Sequence, residues 1–332
     1  MFRDQGNRFC KEHGLATIDL IEHISKNHEI QISNNDAVTL LNMGYYHGYK
    51  RYRYVKKYNA SGKLNLSNFD EVIAIYNFDF ALKSLITPIV ISVETALKNR
   101  VIESLVEGKK ISLMDVVEEN LGCFNDYDIG SKKYYAAVKR YESVKQNMIE
   151  TIRYYSDKSE TVKYHLSKGG DIPFWVCFEI ITLGQFSRFL SCMTREAREK
   201  LNHNFPIIPA RSNSFELVVN SFIELRNASM HNSAIFDAHF PSGVSRVLRQ
   251  YIKEDIKLPE FTCTFIEDYV ILLIWILNVL NFPKSFLNSI INQFNGIIDT
   301  FDKEMNNREI FFKIISTNRK RSIQKLVNHI DK

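Results

Sequence analysis

Residues 69–101 read FDEVIAIYNFDFALKSLITPIVISVETALKNRV, and this stretch says more about the fold than any other. Phe69, Val72, Ile73, Tyr76 and Phe80 fall on one helical stripe, and Leu85, Ile89, Val93, Ala96, Leu97 and Val101 continue it at the three-and-four spacing of an amphipathic helix. Pro88 sits inside the run and is expected to kink or divide it, because its ring lacks an N–H and crowds the preceding turn.

The same period recurs on both sides. Residues 15–30 carry a helical pattern, and Asn34 or Asn35 can cap a second helix starting near Asp36. Residues 59–63, NASGK, read as a turn. After a polar, glycine-containing stretch at 107–131, residues 132–168 read as one long exposed helix. GGDIP at 169–173 breaks it, and 173–193 reads as one helix in which Gly184 admits another backbone. Asn213 followed by Glu216 is a helix-start signal, and Phe215, Val218, Val219, Phe222 and Leu225 then line one face. Helices are expected at 243–256 and 264–282, with helical, basic sequence to the end. Residues 269–282, YVILLIWILNVLNF, are too short for a membrane span, which needs about 20 residues, and read as a buried core helix.

Composition agrees with an all-α fold. The 332 residues contain only 13 Gly and 7 Pro, too little punctuation for an all-β sandwich. Hydrophobic residues make up 45% of the chain, enough for a sizeable core. The length suggests an N-terminal helical segment at 1–66, a central bundle at 67–245 and C-terminal helices at 246–332. A net charge of +5 names no partner. Cysteines at 10, 123, 177, 192 and 263 are odd in number, with no Cys-x-x-Cys, which argues against a disulfide framework and for a reducing, cytoplasmic setting. The opening MFRDQGNRFCKEHG has no apolar core of a signal peptide.

The chemistry-bearing residues follow the 215–225 stripe, in FIELRNASMHNSAIF at 222–236. On a regular helix Arg226 and His231 diverge by about 140°, whereas Asn227 and His231, four apart, share a face. Asn227 can therefore orient the imidazole while Arg226 points elsewhere, toward a second copy of the chain. Such a set suits RNA cleavage without a metal. Histidine moves protons near neutral pH, an arginine fork holds a phosphate and stabilises charge growing on its oxygens, and the RNA's own 2′-hydroxyl is the nucleophile. A buried arginine capping a carbonyl beside a core histidine is the competing structural reading.

A second segment, YYHGYKRYRYVKKY at 45–58, holds six Tyr and five Lys or Arg, and no acid occurs between Asp36 and Asp70. Aromatic rings stack on unpaired bases and cations track phosphates. Lys50, Arg51, Arg53, Lys56 and Lys57 are expected to form a phosphate-facing RNA-binding strip, with Tyr45 and Tyr46 packing beneath it. The Lys-Tyr mixture at 132–145 is diluted by Glu142 and reads as a solvated helix. There is no glycine-rich phosphate loop and no His-Glu-x-x-His, and the nine His are scattered, so neither a cofactor nor a metal site is expected.

Four blocks in order carry a resemblance over roughly residues 10–245. LLNMGYYHGYKRY at 40–52, the 69–101 helix with Glu94, the block IPFWVCFEIITLGQFSRF at 172–189 and RNASMH at 226–231 together resemble the Abi-like (abortive infection) proteins of the AbiD and AbiF type. These are a branch of the HEPN nuclease superfamily, whose signature is Arg-Asn-x-x-x-His. The resemblance implies a HEPN-type helical bundle with N- and C-terminal helical extensions. It also implies an endoribonuclease in bacterial phage defence, a homodimer whose two motifs meet, and, in some members of the branch, a small structured RNA partner. Arg226, Asn227 and His231 stand at the motif positions, and Glu94 supports them from a neighbouring helix or salt-bridges within the core. Two positions depart from the pattern. Lys98 stands where an arginine is usual, and NSAIFD follows the histidine where a second arginine is common. The alternatives are a non-cleaving RNA-binding module on the same fold and, if the basic strips bind nothing, a protein adaptor.

Overall fold

The computed structural model describes residues 15–55, 62–108, 111–169, 171–209, 211–238, 240 and 243–332. Among them lie fifteen α-helices and no strand, the all-α architecture implied by the sequence. An N-terminal pair, α1 (Thr17–His28) and α2 (Ala37–Met43), leads through a π-helical turn (Tyr45–Lys50) and a 3-10 turn (Arg51–Arg53) to α3 (Phe69–Val106). The middle of the chain forms α4 (Leu113–Asn120), α5 (Lys132–Tyr155), α6 (Glu160–Ser167), α7 (Phe174–Ile180), α8 (Leu183–Cys192), α9 (Arg195–Asn204) and α10 (Ser214–Met230). The chain closes with α11 (Arg246–Asp255), α12 (Ile266–Val279), α13 (Lys284–Glu304), α14 (Arg308–Ile314) and α15 (Arg319–Ile330).

The α3 helix is the hub. Asn68 caps its start by accepting the Glu71 N–H at 3.0 Å. It runs through Pro88 as one helix of 38 residues. A mid-helix proline costs about 3 kcal/mol, and burial of α3 against α7, α9, α10, α12 and α13 outweighs that. This packing on several sides also redraws the expected stripe. Val72, Ile75, Leu82, Ile86, Val90, Val93, Leu97 and Val101 are fully buried, whereas Ile73 and Tyr76 are half-buried and Phe80 is 65% exposed. The open face is a narrow line through Phe80, Ser84, Pro88 and Ile91. By length and composition α3 is the one helix among the described residues that could cross a membrane, but it packs here as a core helix. On α12, every residue from Ile266 to Leu277 is buried, as expected for a core helix.

Two expected helices are each split. The 132–168 stretch breaks after Tyr155, and α6 restarts on Ser159, which accepts the Val162 N–H. The 173–193 stretch breaks at Ile181–Thr182, where Thr182 and Gln185 form a reciprocal capping box. Gly184 lies in the first turn of α8, and a Cβ there would meet only its own Thr182 hydroxyl at 4.0 Å, so no second backbone approaches it. Sterics do demand a glycine at Gly48 in the π-helical turn, where a Cβ would overlap the Met43 carbonyl. The α10 helix begins where expected, but the Asn213 side chain makes no cap; Ser214 instead donates to Asn202 Oδ1 at 2.7 Å. The main body of buried side chains is continuous from Ile21 to Ile330.

Candidate active site at the end of the tenth helix

Phe215, Val218, Val219, Phe222 and Leu225 anchor α10 in the core, so its outer face and C-terminal end carry the polar residues. The helix stops at Met230. His231 is the C-cap, with φ −102° and ψ 24°, and its N–H still bonds the Asn227 carbonyl at 3.0 Å. Asn232 then turns into the left-handed region at φ 53°, a conformation asparagine tolerates better than most residues. The helix therefore ends between Arg226 and His231, so regular-helix geometry alone does not fix their relative directions. Both His231 and Asn227 are exposed.

Arg226 faces inward by comparison. Its side chain is 25% exposed, and its Nε lies 3.4 Å from Glu94 Oε2 on α3, an ion pair without hydrogen-bond geometry. The other oxygen of Glu94 lies 2.8 Å from Lys98 Nζ. Lys98 is buried and donates to the Ile181 carbonyl at 2.7 Å, one of the groups freed by the break between α7 and α8. A lysine at this position thus joins three helices, α3, α7 and α10, through Glu94. Arg226 Nη1 also approaches Asn227 Oδ1 at 3.4 Å. The structure thus brings Asn227 to Arg226, and the expected Asn227–imidazole contact is not among its hydrogen bonds.

Downstream, the segment that replaces the second arginine is buried and tied down. Ala234, Ile235, Phe236, Asp237 and Ala238 are all buried. Asp79 of α3, fully buried, accepts the N–H groups of Ile235 at 2.6 Å and Phe236 at 2.8 Å. Its other oxygen accepts the Tyr52 hydroxyl at 2.8 Å and faces Lys83 Nζ at 2.7 Å. Lys83 Nζ in turn donates to Asn232 Oδ1 at 3.2 Å. These partners were missed in the sequence. The one available signal was an aspartate interrupting the apolar 69–101 run.

The basic strip is taken apart by the same network. Arg51 pairs with buried Asp237, donates to the Tyr54 carbonyl at 3.0 Å and lies 5.2 Å from the Phe236 ring. Arg53 is 4% exposed, with its guanidinium 5.3 Å from the Tyr49 ring. Neither is presented to solvent as a phosphate-facing strip requires: Arg51 ties the N-terminal segment to the buried stretch after the motif, and Arg53 packs within the N-terminal segment against Tyr49 and Tyr54. Lys50 is half-buried, its ammonium 5.1 Å from the Tyr45 ring and 5.0 Å from the Tyr46 ring. Tyr46 is exposed, contrary to its expected packing role, and Tyr45 is half-buried. Lys56 and Lys57 lie outside the described residues. Beneath this segment the His28 imidazole bonds the Tyr49 hydroxyl at 2.8 Å. Burial, reinforced by the Arg53 cation, pushes the His28 pKa down to about 4.

Among the described residues no three His, Cys, Asp or Glu side chains group as metal ligands would. The sequence model of the Abi-like protein family matches residues 38–237, from α2 through the buried segment after the motif. The chain belongs to the Abi-like family. No curated protein and no solved structure matches it. The matched span contains Glu94, the Arg226–His231 motif and Asp79, so the site of this Abi-like protein lies wholly within the part that defines the family.

Proposed function

We propose that this Abi-like protein is a HEPN-type endoribonuclease of the abortive-infection response, the phage-defence role its family suggests. The observation that carries the reading is the division of labour at the end of α10. Arg226 is held from behind by Glu94, while His231 and Asn227 stand open to solvent on a helix otherwise anchored in the core. His231 serves as the general acid–base, a role worth ~10²–10⁴ in rate. Arg226 stabilises the charge on the pentavalent phosphorane, and Asn227 steadies Arg226. The 2′-hydroxyl attacks its neighbouring phosphodiester, the 5′-oxygen leaves, and a 2′,3′-cyclic phosphate remains.

The active unit in this proposal is a homodimer with its interface near residues 222–236. Exposed Met230 at the end of α10 gives apolar surface within the motif for a second copy to cover. A small structured RNA bound near Lys50 and Tyr46 is the proposed controlling partner. Purified protein incubated with RNA in EDTA tests the reading. Wild type is expected to cleave and His231→Ala to be inert; equal rates for the two overturn it.

One observation favours a second reading, an RNA-binding module that does not cleave. After the motif, residues 234–238 are buried and bring no second cation to the surface. RNA retained by both wild type and His231→Ala, with no cleavage by either, is the outcome that selects it.

A further inference from the structure

We propose that Lys83 is a positioning residue for His231, acting through Asn232. The inference rests on the ribonuclease reading for its kinetic arm and extends it to a residue outside the motif. His231 caps α10 with its N–H on the Asn227 carbonyl at 3.0 Å, and two residues on the Ser233 N–H returns to the Ala228 carbonyl of α10 at 3.0 Å. The next residue, Asn232, is in the left-handed region, and Asn232 and Ser233 are exposed. The turn is open to water, and the Ser233–Ala228 bond ties its backbone to the last turn of α10 while leaving the Asn232 side chain free of that helix.

A second hold comes from α3. The Lys83 side chain is only 12% exposed, its ammonium 2.7 Å from Asp79 Oδ2 and 3.2 Å from Asn232 Oδ1. Asp79 fixes the other end of the same turn by accepting the N–H groups of Ile235 and Phe236. One buried carboxylate therefore clamps the turn at both ends, directly at Ile235–Phe236 and through the Lys83 ammonium at Asn232. A lysine needed only to neutralise Asp79 would have no use for a second contact reaching out to an exposed amide. The ring of His231 takes its direction from the backbone so clamped, and Lys83 never has to touch the substrate.

The variants are chosen to leave Asp79 and the core in place. Lys83→Met keeps the aliphatic stem and removes the ammonium. Asn232→Gly keeps the left-handed turn and removes the amide, whereas Asn232→Asp keeps an acceptor for Lys83. Expected for Lys83→Met and Asn232→Gly is a fall in kcat of ~10–100-fold with KM little changed, the signature of a misplaced group that does not bind substrate. Asn232→Asp is expected to recover most of the loss. Unchanged kcat in Lys83→Met, in a preparation where wild type cleaves and His231→Ala does not, overturns the positioning role while leaving the ribonuclease reading intact. If wild type cleaves no RNA, the proposal is still decided by NMR of the His231 imidazole. A shift and broadening of its resonance in both Lys83→Met and Asn232→Gly supports the clamp, and an unmoved resonance overturns it.

Discussion

Asp79→Ala is the perturbation for which the structure gives the clearest magnitude. The carboxylate is fully buried and serves the Ile235 and Phe236 N–H groups, the Tyr52 hydroxyl and Lys83. Its removal leaves two backbone donors and one hydroxyl unpaired inside the protein, at about 1–3 kcal/mol each if nothing relaxes. Lys83, already near the surface, can turn outward to water. The expected net loss is about 3–5 kcal/mol, the range for breaking a buried ion pair by removing one partner. Tyr52→Phe alone should cost about 1 kcal/mol. In the Asp79→Ala background the same change removes an unsatisfied hydroxyl and should cost nothing. Urea denaturation of the wild type, the two single variants and the double variant measures the coupling. Additivity within ~0.5 kcal/mol, the behaviour of independent sites, would refute the network, as would a loss below about 1 kcal/mol for Asp79→Ala.

Other expectations follow from the same geometry. Arg53→Ala should destabilise the fold, because Arg53 is buried, and should leave the salt dependence of RNA binding unchanged; Lys50→Glu should do the reverse, flattening a slope near −0.7 per phosphate contact, as binding titrations at several salt concentrations can show. His28 has its pKa held near 4 in the folded protein against an ordinary 6.5, so the unfolded chain binds more protons in that window. The stability His28 contributes should be intact above about pH 6.5 and be lost as pH falls toward 4; thermal melts of His28→Phe should lack that component, and identical pH profiles for variant and wild type would contradict it. Lys98→Met should weaken the fold by about 1–3 kcal/mol, since the Ile181 carbonyl and Glu94 lose a buried donor, and calorimetry should register the loss. Mixing Arg226→Ala with His231→Ala chains should restore cleavage that neither shows alone if each site draws on both copies; heterodimers that stay inert would place Arg226 and His231 of one site in the same chain.

The helical architecture was legible because it rests on periodicity. Residues 69–101 declare a helix by spacing alone, and 269–282 declare burial by having almost no polar side. Three features were not legible, for physical reasons. Which face of α3 is buried depends on what packs around it, and a helix covered on several sides has no single stripe; that is why Phe80 came out exposed. The breaks at 156–159 and 181–182 carry local signals, the Ser159 cap and the Thr182–Gln185 capping box, but these compete with a continuous helical period, and at 181–182 the break is completed by tertiary capture of the Ile181 carbonyl by Lys98. The basic segment looked like a nucleic-acid strip because composition does not reveal partners 186 positions away, and Arg51 finds Asp237 at that separation. At the site, Arg226, Asn227 and His231 were identifiable from the motif, while the clamp of Asp79, Lys83 and Asn232 emerged only when the fold brought α3 beside the exit from α10.

The central claim is that RNA is cut through its own 2′-hydroxyl by the Arg226–His231 site, and the chemistry of the cut ends tests it most directly. Purified protein should be incubated in EDTA with an end-labelled RNA, and with the same strand carrying a single 2′-deoxy nucleotide at the mapped cleavage position. The account predicts a 2′,3′-cyclic phosphate on the upstream fragment and a 5′-hydroxyl on the downstream one. It also predicts no cutting at the deoxy position and no cutting by His231→Ala. A 3′-hydroxyl upstream end with a 5′-phosphate downstream, or undiminished cleavage at the deoxy nucleotide, would contradict it.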